Sequence, residues 1–244
     1  MIDWKTEKIT LDNLRLDGKF SEAFERVKSL GKYSNSVDTR NLLFVNLPIF
    51  WTELRAGKYS LRRRNESDIE FIQSLWSNED FMYEFHRHAT PLPKDDEILR
   101  QILRREYLAT FLENQAIHWI IRTDTGEKFG LLSLVNISLT HKRAEVLLGV
   151  RPEAPSGLSV ASMLMLFEFY FRVMRFNKLY SQVFTDNPRS LKSTLHLGFS
   201  AEGTLKKHVF DPKSQRFVDI VQTGIFASEA FSERNGRLME RLFA

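Results

Sequence analysis

The sequence predicts an α/β (α+β) domain, a mixed sheet covered by helices. Three observations carry this. From Tyr59 onward, apolar patterning runs strand, two helices, three strands, helix, strand, helix, two strands. Strands joined by short turns imply antiparallel hairpins, and strands joined through helices imply crossovers. Hydrophobic residues make up 43% of the 244 positions, enough for a sizeable core. Together these give about six or seven strands flanked by about four helices.

Residues 1–57 read as an N-terminal extension packed on the main domain. "KITLDNLRL" (8–16) reads as a strand, "FSEAFERVKSL" (20–30) as a helix ended by Gly31, and "NLLFVNLPIFWTEL" (41–54) as an apolar tract interrupted by Pro48. In the main domain, residues 58–228, "YSLRR" (59–63) is a short strand. "SDIEFIQSLW" (67–76) is a helix with Ser67 as N-cap. "FMYEFHRHATPLPKDD" (81–96) reads as an aromatic- and His-rich loop. "DEILRQILRREYLATFLEN" (96–114) reads as one helix, with Ile98, Ile102, Tyr107 and Phe111 among its apolar positions.

"AIHWIIRT" and "FGLLSLVNIS" flank the Gly-containing turn "DTGEK" and form a hairpin, and "KRAEVLLGV" (142–150) adds a strand. "SVASMLMLFEFYFRVMRF" (159–176) is a helix, with Val160, Met163, Leu164, Phe167, Phe171 and Met174 on one face. "KLYSQVFT" is a strand. "NPRSLKSTLHL" is a helix with Asn187 as N-cap and Pro188 in its first turn. "FSAEGTLKKHVF" and "RFVDIVQTGIF" are the last strands, and residues 229–244 read as a helical tail.

There is no Cys, which excludes disulfides, Cys-ligated zinc, iron–sulfur clusters and a Cys nucleophile. The charged N-terminus has no apolar signal core, and no run approaches the roughly 18 apolar residues of a membrane span. A cytoplasmic protein without a membrane partner is the expectation. Net charge is +4 with acidic and basic residues interleaved, a pattern that does not call for nucleic acid and would suit an anionic ligand. His86 and His88 at i, i+2 have no third ligand nearby in sequence, so no metal is expected.

The segment "TDNPRSLKSTLHLGFSAEGTLKKH" carries Asn187, Ser190, Gly198, Phe199, Glu202 and Gly203, and Asp219 follows on the last strand. With the element order, this resembles the GNAT superfamily of acyl-CoA-dependent N-acyltransferases, and within it the Rim-type branch that acetylates ribosomal-protein N-termini. The likeness covers about residues 58–228. It implies an enzyme, an acetyl-CoA co-substrate and no metal. It also implies direct attack of a primary amine, on a peptide or an amino sugar, on the thioester. A catalytically degenerate CoA-binding or regulatory module on the same fold is the alternative. The partner is a small-molecule or peptide acceptor, and the protein is a monomer or homodimer.

The resemblance places a pyrophosphate cradle at Ser156, Gly157, Leu158, Ser159, Val160 and Ala161. Gly157 takes the first glycine of the motif, Ser159 the second Gly/Ala, and Ala154 the place of Arg/Gln. Amides at a helix start lack intrahelical partners and can hold an anion. A plain helix-capping turn is the other reading. The preceding strand would splay from its neighbour and hold the pantetheine at Leu148, Gly149 and Val150, with the Val150 N–H as oxyanion donor. Glu145, on the same face as Leu147 and Gly149, is the candidate base, or else a carboxylate paired with Lys142 or Arg143. Asn187 and Ser190 would meet the pantetheine, although Asn187 is also explained as a cap. Thr194 stands where many relatives have a Tyr acid, which leaves the thiolate to another group or to water. Tyr83, Phe85, His86 and His208 are the candidate acceptor contacts. A polyamine would want clustered carboxylates. Asp95, Asp96 and Glu97 form the compact acidic run, and a helix N-terminus accounts for them.

Overall fold

The computed structural model describes residues 4–30 and 37–243. Eight strands, β1 (Leu54–Ala56), β2 (Tyr59–Arg63), β3 (Ile117–Thr123), β4 (Lys128–Ser138), β5 (Arg143–Val150), β6 (Lys178–Phe184), β7 (Ser200–Asp211) and β8 (Arg216–Ile225), form one sheet. Their order is β1-β2-β3-β4-β5-β6-β8-β7. All neighbours are antiparallel except β5 and β6. The strand the patterning did not foresee is β1. It lies at the end of the apolar tract and turns back at Gly57 to pair with β2.

Period-two alternation assigns the two faces of the sheet. Ile117, Trp119 and Ile121 of β3 enter the larger core, while Ile120 joins Phe71, Ile72, Leu75 and Phe81 on the opposite face. The larger core holds α8 (Leu158–Phe167), which continues into a π-helical turn, Glu168–Val173. This helix is buried nearly all round, with Met165 and Leu166 as inaccessible as Met163 and Leu164. The single apolar stripe read from the sequence is therefore too narrow. N- and C-terminal elements cover its outer side. Phe50, for example, meets Phe169 edge-on at 5.6 Å. The opposite face is covered by α4 (Ile69–Trp76) and α5 (Glu79–Phe85), with α6 (Asp96–Leu108) beside them.

Several local expectations change. "KITLDNLRL" lies in helix α1 (Trp4–Leu16), because Leu11, Leu14 and Arg15 turn inward at helical spacing while Ile9 is exposed. Helix α2 (Phe20–Leu30) forms as expected. Gly31 lies outside the described residues. Helix α3 (Val37–Val45) precedes a 3-10 turn at Pro48–Phe50. Ser67 is not the N-cap. Asn65 caps a 3-10 turn ahead of α4, accepting from the Ser67 N–H, and Asp68 reaches back to the Asn65 N–H. The 81–96 loop begins as helix α5, capped by Asn78. The 96–114 helix breaks at Ala109, and α7 (Phe111–Asn114) starts afresh from Thr110. On α6, Leu99 and Leu103 are buried whereas Ile98 is exposed, so the buried face lies one position on from the expected one.

The N-terminal helices are tied to the sheet through Trp51. The Arg15 guanidinium lies 4.4 Å and that of Arg63 5.3 Å from the Trp51 ring centroid. Arg15 also donates to Leu108 O at 3.0 Å, to Asn46 Oδ1 and to Asp12 at 3.3 Å. Removing a buried guanidinium leaves its partners unpaired. Arg15→Ala is therefore expected to lower unfolding free energy by about 3 kcal/mol. Urea denaturation checks this, and an unchanged midpoint would show that α1 is not held through this contact.

Candidate active site

Strands β5 and β6 pair only at Arg143↔Lys178, Ala144↔Leu179 and Glu145↔Tyr180. Beyond Glu145 they diverge, although β5 continues to Val150 and β6 to Phe184. On its other side β5 stays paired with β4 as far as Val150, and the Arg151 N–H donates to Phe129 O at 2.8 Å. Amides alternate sides along a strand, so those of Leu148 and Val150 face the gap rather than β4.

A cleft of about 740 Å³ opens there. Its walls include Leu148, Gly149 and Val150 from β5, Ser181 from β6, and Ser156, Gly157, Ser159 and Val160 at the start of α8. The far wall is α9 (Pro188–His196), through Arg189, Ser190, Lys192, Ser193 and Thr194. A second pocket of about 150 Å³ continues from it, lined by His86, His88, Glu145, Leu147, Phe184 and Val209 among others. Glu84, Phe85, Asn187 and Ser190 line both spaces.

The start of α8 fits an anion. Gly157 takes φ +88°, a conformation that favours glycine, and among the described residues no side chain caps the helix. The Leu158 N–H is held by Pro155 O and that of Ala161 by Gly157 O. Among the described residues, the Ser159 and Val160 N–H groups have no backbone acceptor, and both residues line the cleft. Leu158 and Ala161 thus leave the expected set. Their amides are used, and their side chains turn into the core at 1% and 0% exposure. Arg151, Arg189 and Lys192 supply positive charge around the cleft in which Ala154 replaces the motif's Arg/Gln. The sequence reading missed them. The signal for Arg189 and Lys192 was their i, i+3 spacing on α9, which puts them on one helix face.

Glu145 is buried and accepts from Asn136 Nδ2 at 2.9 Å, not from Lys142 or Arg143. Burial raises its carboxyl pKa above the ordinary value, and the Asn136 hydrogen bond opposes that rise. Asn136 was also missed. It sits at a β4 bulge with φ +53°, a left-handed conformation that asparagine tolerates.

The glycine at 149 is required by α5. A Cβ there would stand 2.7 Å from Phe85 Cδ2 and 2.9 Å from Phe81 Cζ, two rings stacked at 5.5 Å. The roof of the site is thus an aromatic pair lying on the strand. Arg87 pins its end. The guanidinium is bidentate to Asp186 and lies between Tyr83 (4.0 Å) and Phe184 (3.9 Å).

Phe85 and His86 reach the pockets, but Tyr83 and His208 do not. Tyr83 donates to Asp211 Oδ2 at 3.1 Å and stacks on Arg87, holding α5 to β7. On β7, Val209 lines the smaller pocket and His208 is exposed, as alternation along a strand requires. Asn187 accepts from the Ser190 N–H at 2.9 Å, so it is a cap that also lines the cleft. Asp95 caps α6 and Asp96 accepts from Gln73, so neither serves the cleft. Among the described residues no three His, Asp or Glu side chains converge as a metal site, and no helix is long and apolar enough to cross a membrane.

Residues 59–200 match the family model described as acetyltransferase (GNAT) domain. The chain belongs to the GNAT acetyltransferase family. It is 36% identical over 156 residues to the spermidine N(1)-acetyltransferase of Escherichia coli K12, covering 64% of this chain and 80% of that protein. It is 26% identical over 160 residues to the uncharacterized N-acetyltransferase YoaA of Bacillus subtilis, covering 64% and 88%. Its fold superposes on a spermidine N-acetyltransferase from Vibrio cholerae, solved with CoA and spermine, with a TM-score of 0.62 at 21% identity, covering 72% of this chain and 99% of that one. These relatives support the GNAT family without singling out its Rim-type branch.

Gly149→Ala is expected to cost about 1–3 kcal/mol by overpacking against the aromatic roof. Phe85→Ala in the same chain should recover part of that loss. Equilibrium unfolding of the double-mutant cycle reads this coupling, and simple additivity would refute the roof contact.

Proposed function

We propose that this GNAT N-acetyltransferase uses acetyl-CoA to acetylate the primary amine of a slender cationic acceptor. The observation that carries the reading is the gap between β5 and β6. It opens at one end onto the free amides of α8 and at the other onto buried Glu145. The Ser159 and Val160 amides, with Arg151, Arg189 and Lys192, would hold the cofactor's phosphates. The two gap-facing amides, of Leu148 and Val150, would divide between the pantetheine and the oxyanion formed at the thioester carbonyl. The amine would enter by the smaller pocket, where Glu145 takes its proton directly or through water before attack.

A polyamine is the first acceptor to test. The Escherichia coli relative is named for spermidine, and the Vibrio cholerae structure was solved with spermine. Here the smaller pocket has Glu84 and Glu145 in a partly apolar lining, and the Arg87 charge beside them is taken up by Asp186, which leaves two carboxylates for a narrow cationic chain. A peptide α-amine and an amino sugar, the acceptors suggested by the Rim-type likeness, belong in the same panel.

Calorimetry should show CoA binding in the micromolar range, and no binding at millimolar CoA would sink the cradle. Thiol release from acetyl-CoA with the amine panel then separates an enzyme from a binding module. Glu145→Gln is expected to lower kcat by about a hundredfold or more while leaving CoA affinity unchanged. The base works deprotonated and burial raises its pKa. Activity should therefore fall as pH drops, with the acid limb of kcat/KM above the ~4.3 of a free glutamate. That limb should vanish in Glu145→Gln, and an unaltered limb would remove Glu145 from the mechanism.

A further inference from the structure

The short helix α10 (Ala227–Ala230) leads into α11 (Glu233–Phe243), which lies beyond the residues matched to the family, yet touches both walls of the larger cleft from behind. At the α8 wall, a Cβ on Gly157 would stand 3.1 Å from Leu242 Cδ2. The same turn backs the β1–β2 hairpin, where a Cβ on Gly57 would stand 2.8 Å from Leu242 O. At the α9 wall, Asn235 Nδ2 donates to Leu197 O at 3.0 Å and to Ala230 O at 3.1 Å, and Arg234 reaches His196 Nδ1. His196 and Leu197 end α9 and line the cleft. Seven residues of helix, about 10 Å, separate Asn235 from Leu242.

The chemistry of Asn235 goes beyond packing. It is fully buried, and among the described residues its Oδ1 has no hydrogen-bond partner. Burying an amide with one end unsatisfied is unfavourable, and its contacts to the carbonyls of Leu197, Glu229 and Ala230 offset that cost. The amide fixes the last carbonyl of the α9 wall, while Leu242 backs the left-handed glycine of the α8 wall.

We propose that α11 is a clamp that sets the separation of the two walls, with Leu242 and Asn235 as positioning residues for the acyl-CoA cleft. The proposal rests on the acetyl-CoA reading above. Neither residue lines the cleft, so both act through Gly157, His196 and Leu197. Linkage requires reciprocity: a clamp that favours CoA is itself tightened by CoA.

The test titrates CoA into the full chain and follows steady-state kinetics for wild type, Leu242→Ala, Leu242→Met and Asn235→Ala. Hydrogen exchange of residues 233–243 is measured with and without CoA. Leu242→Ala and Asn235→Ala should raise the Kd for CoA and the KM for acetyl-CoA by about tenfold, within the usual range of coupling between sites. The KM for the amine and kcat should stay within about twofold, since the clamp does not touch the acceptor pocket. Leu242→Met should restore affinity, and CoA should slow exchange in α11. Should Asn235→Ala unfold, Leu242→Ala decides, because Leu238 and Met239 still hold its helix to the core. Wild-type binding with unchanged variants and CoA-indifferent exchange overturns the clamp alone. Failure of the wild type to bind CoA overturns both the clamp and the reading beneath it.

Discussion

Three rungs of parallel pairing between β5 and β6, ending at Glu145↔Tyr180, are the constraint on which the rest of the structure depends. A sheet that paired to the ends of both strands would have no cleft, and its amides at Leu148 and Val150 would be spent within the ladder. Because the strands part, those amides face open space, and the start of α8 faces the same space with two more. The donors are fixed by secondary structure, so they need no reorganisation to meet an anion or a developing oxyanion. The sheet on the other side of β5 keeps that strand rigid. Its pairing with β4 is continuous toward Val150 and tight, for a Cβ on Gly130 would stand 2.1 Å from Gly149 O.

Beside the apolar packing, buried guanidinium groups join separate elements of the fold. Arg87 locks the end of α5 to Asp186, one residue before the cap of α9, and so joins the aromatic roof to the far wall of the cleft. Arg15 and Arg63 do the equivalent for the N-terminal helices, both lying against Trp51. Among the described residues Arg63 has no carboxylate partner. It donates to the carbonyls of Phe50, Glu106 and Ala109, and burial pushes its pKa down to about 10. A planar guanidinium suits such sites because it stacks on rings and presents a rigid fork of donors.

Much of the fold was legible because its signals are local. Hairpin turns, the Asn187-Pro188 helix start and strand alternation each depend on a few neighbouring residues, and strands β2 to β8 stand where the patterning put them. The errors arose where two local readings competed. "KITLDNLRL" carries short runs that alternate and a longer spacing that is helical, and burial against Leu108 and Trp51 selects the helix. "FMYEF" looks like loop because of the His residues after it, yet Asn78 caps it as a helix.

The candidate site divides the same way. Gly157, Ser159, Glu145 and Val150 were candidates because the resemblance to the GNAT family maps its motifs onto a turn, a helix start and a strand face, which are local in sequence. Asn136, Arg87, Arg151 and the clamp through Leu242 were not, since each acts on a residue brought close only by folding. Local patterning set the order of strands β2 to β8, the Asn187-Pro188 helix start and the faces of the strands, because these follow from backbone sterics and the burial of apolar side chains. The tertiary structure decided where β5 and β6 part, which amides are left over, and which distant side chains hold the two walls. Those depend on distances between segments far apart in the chain, and no local pattern encodes them.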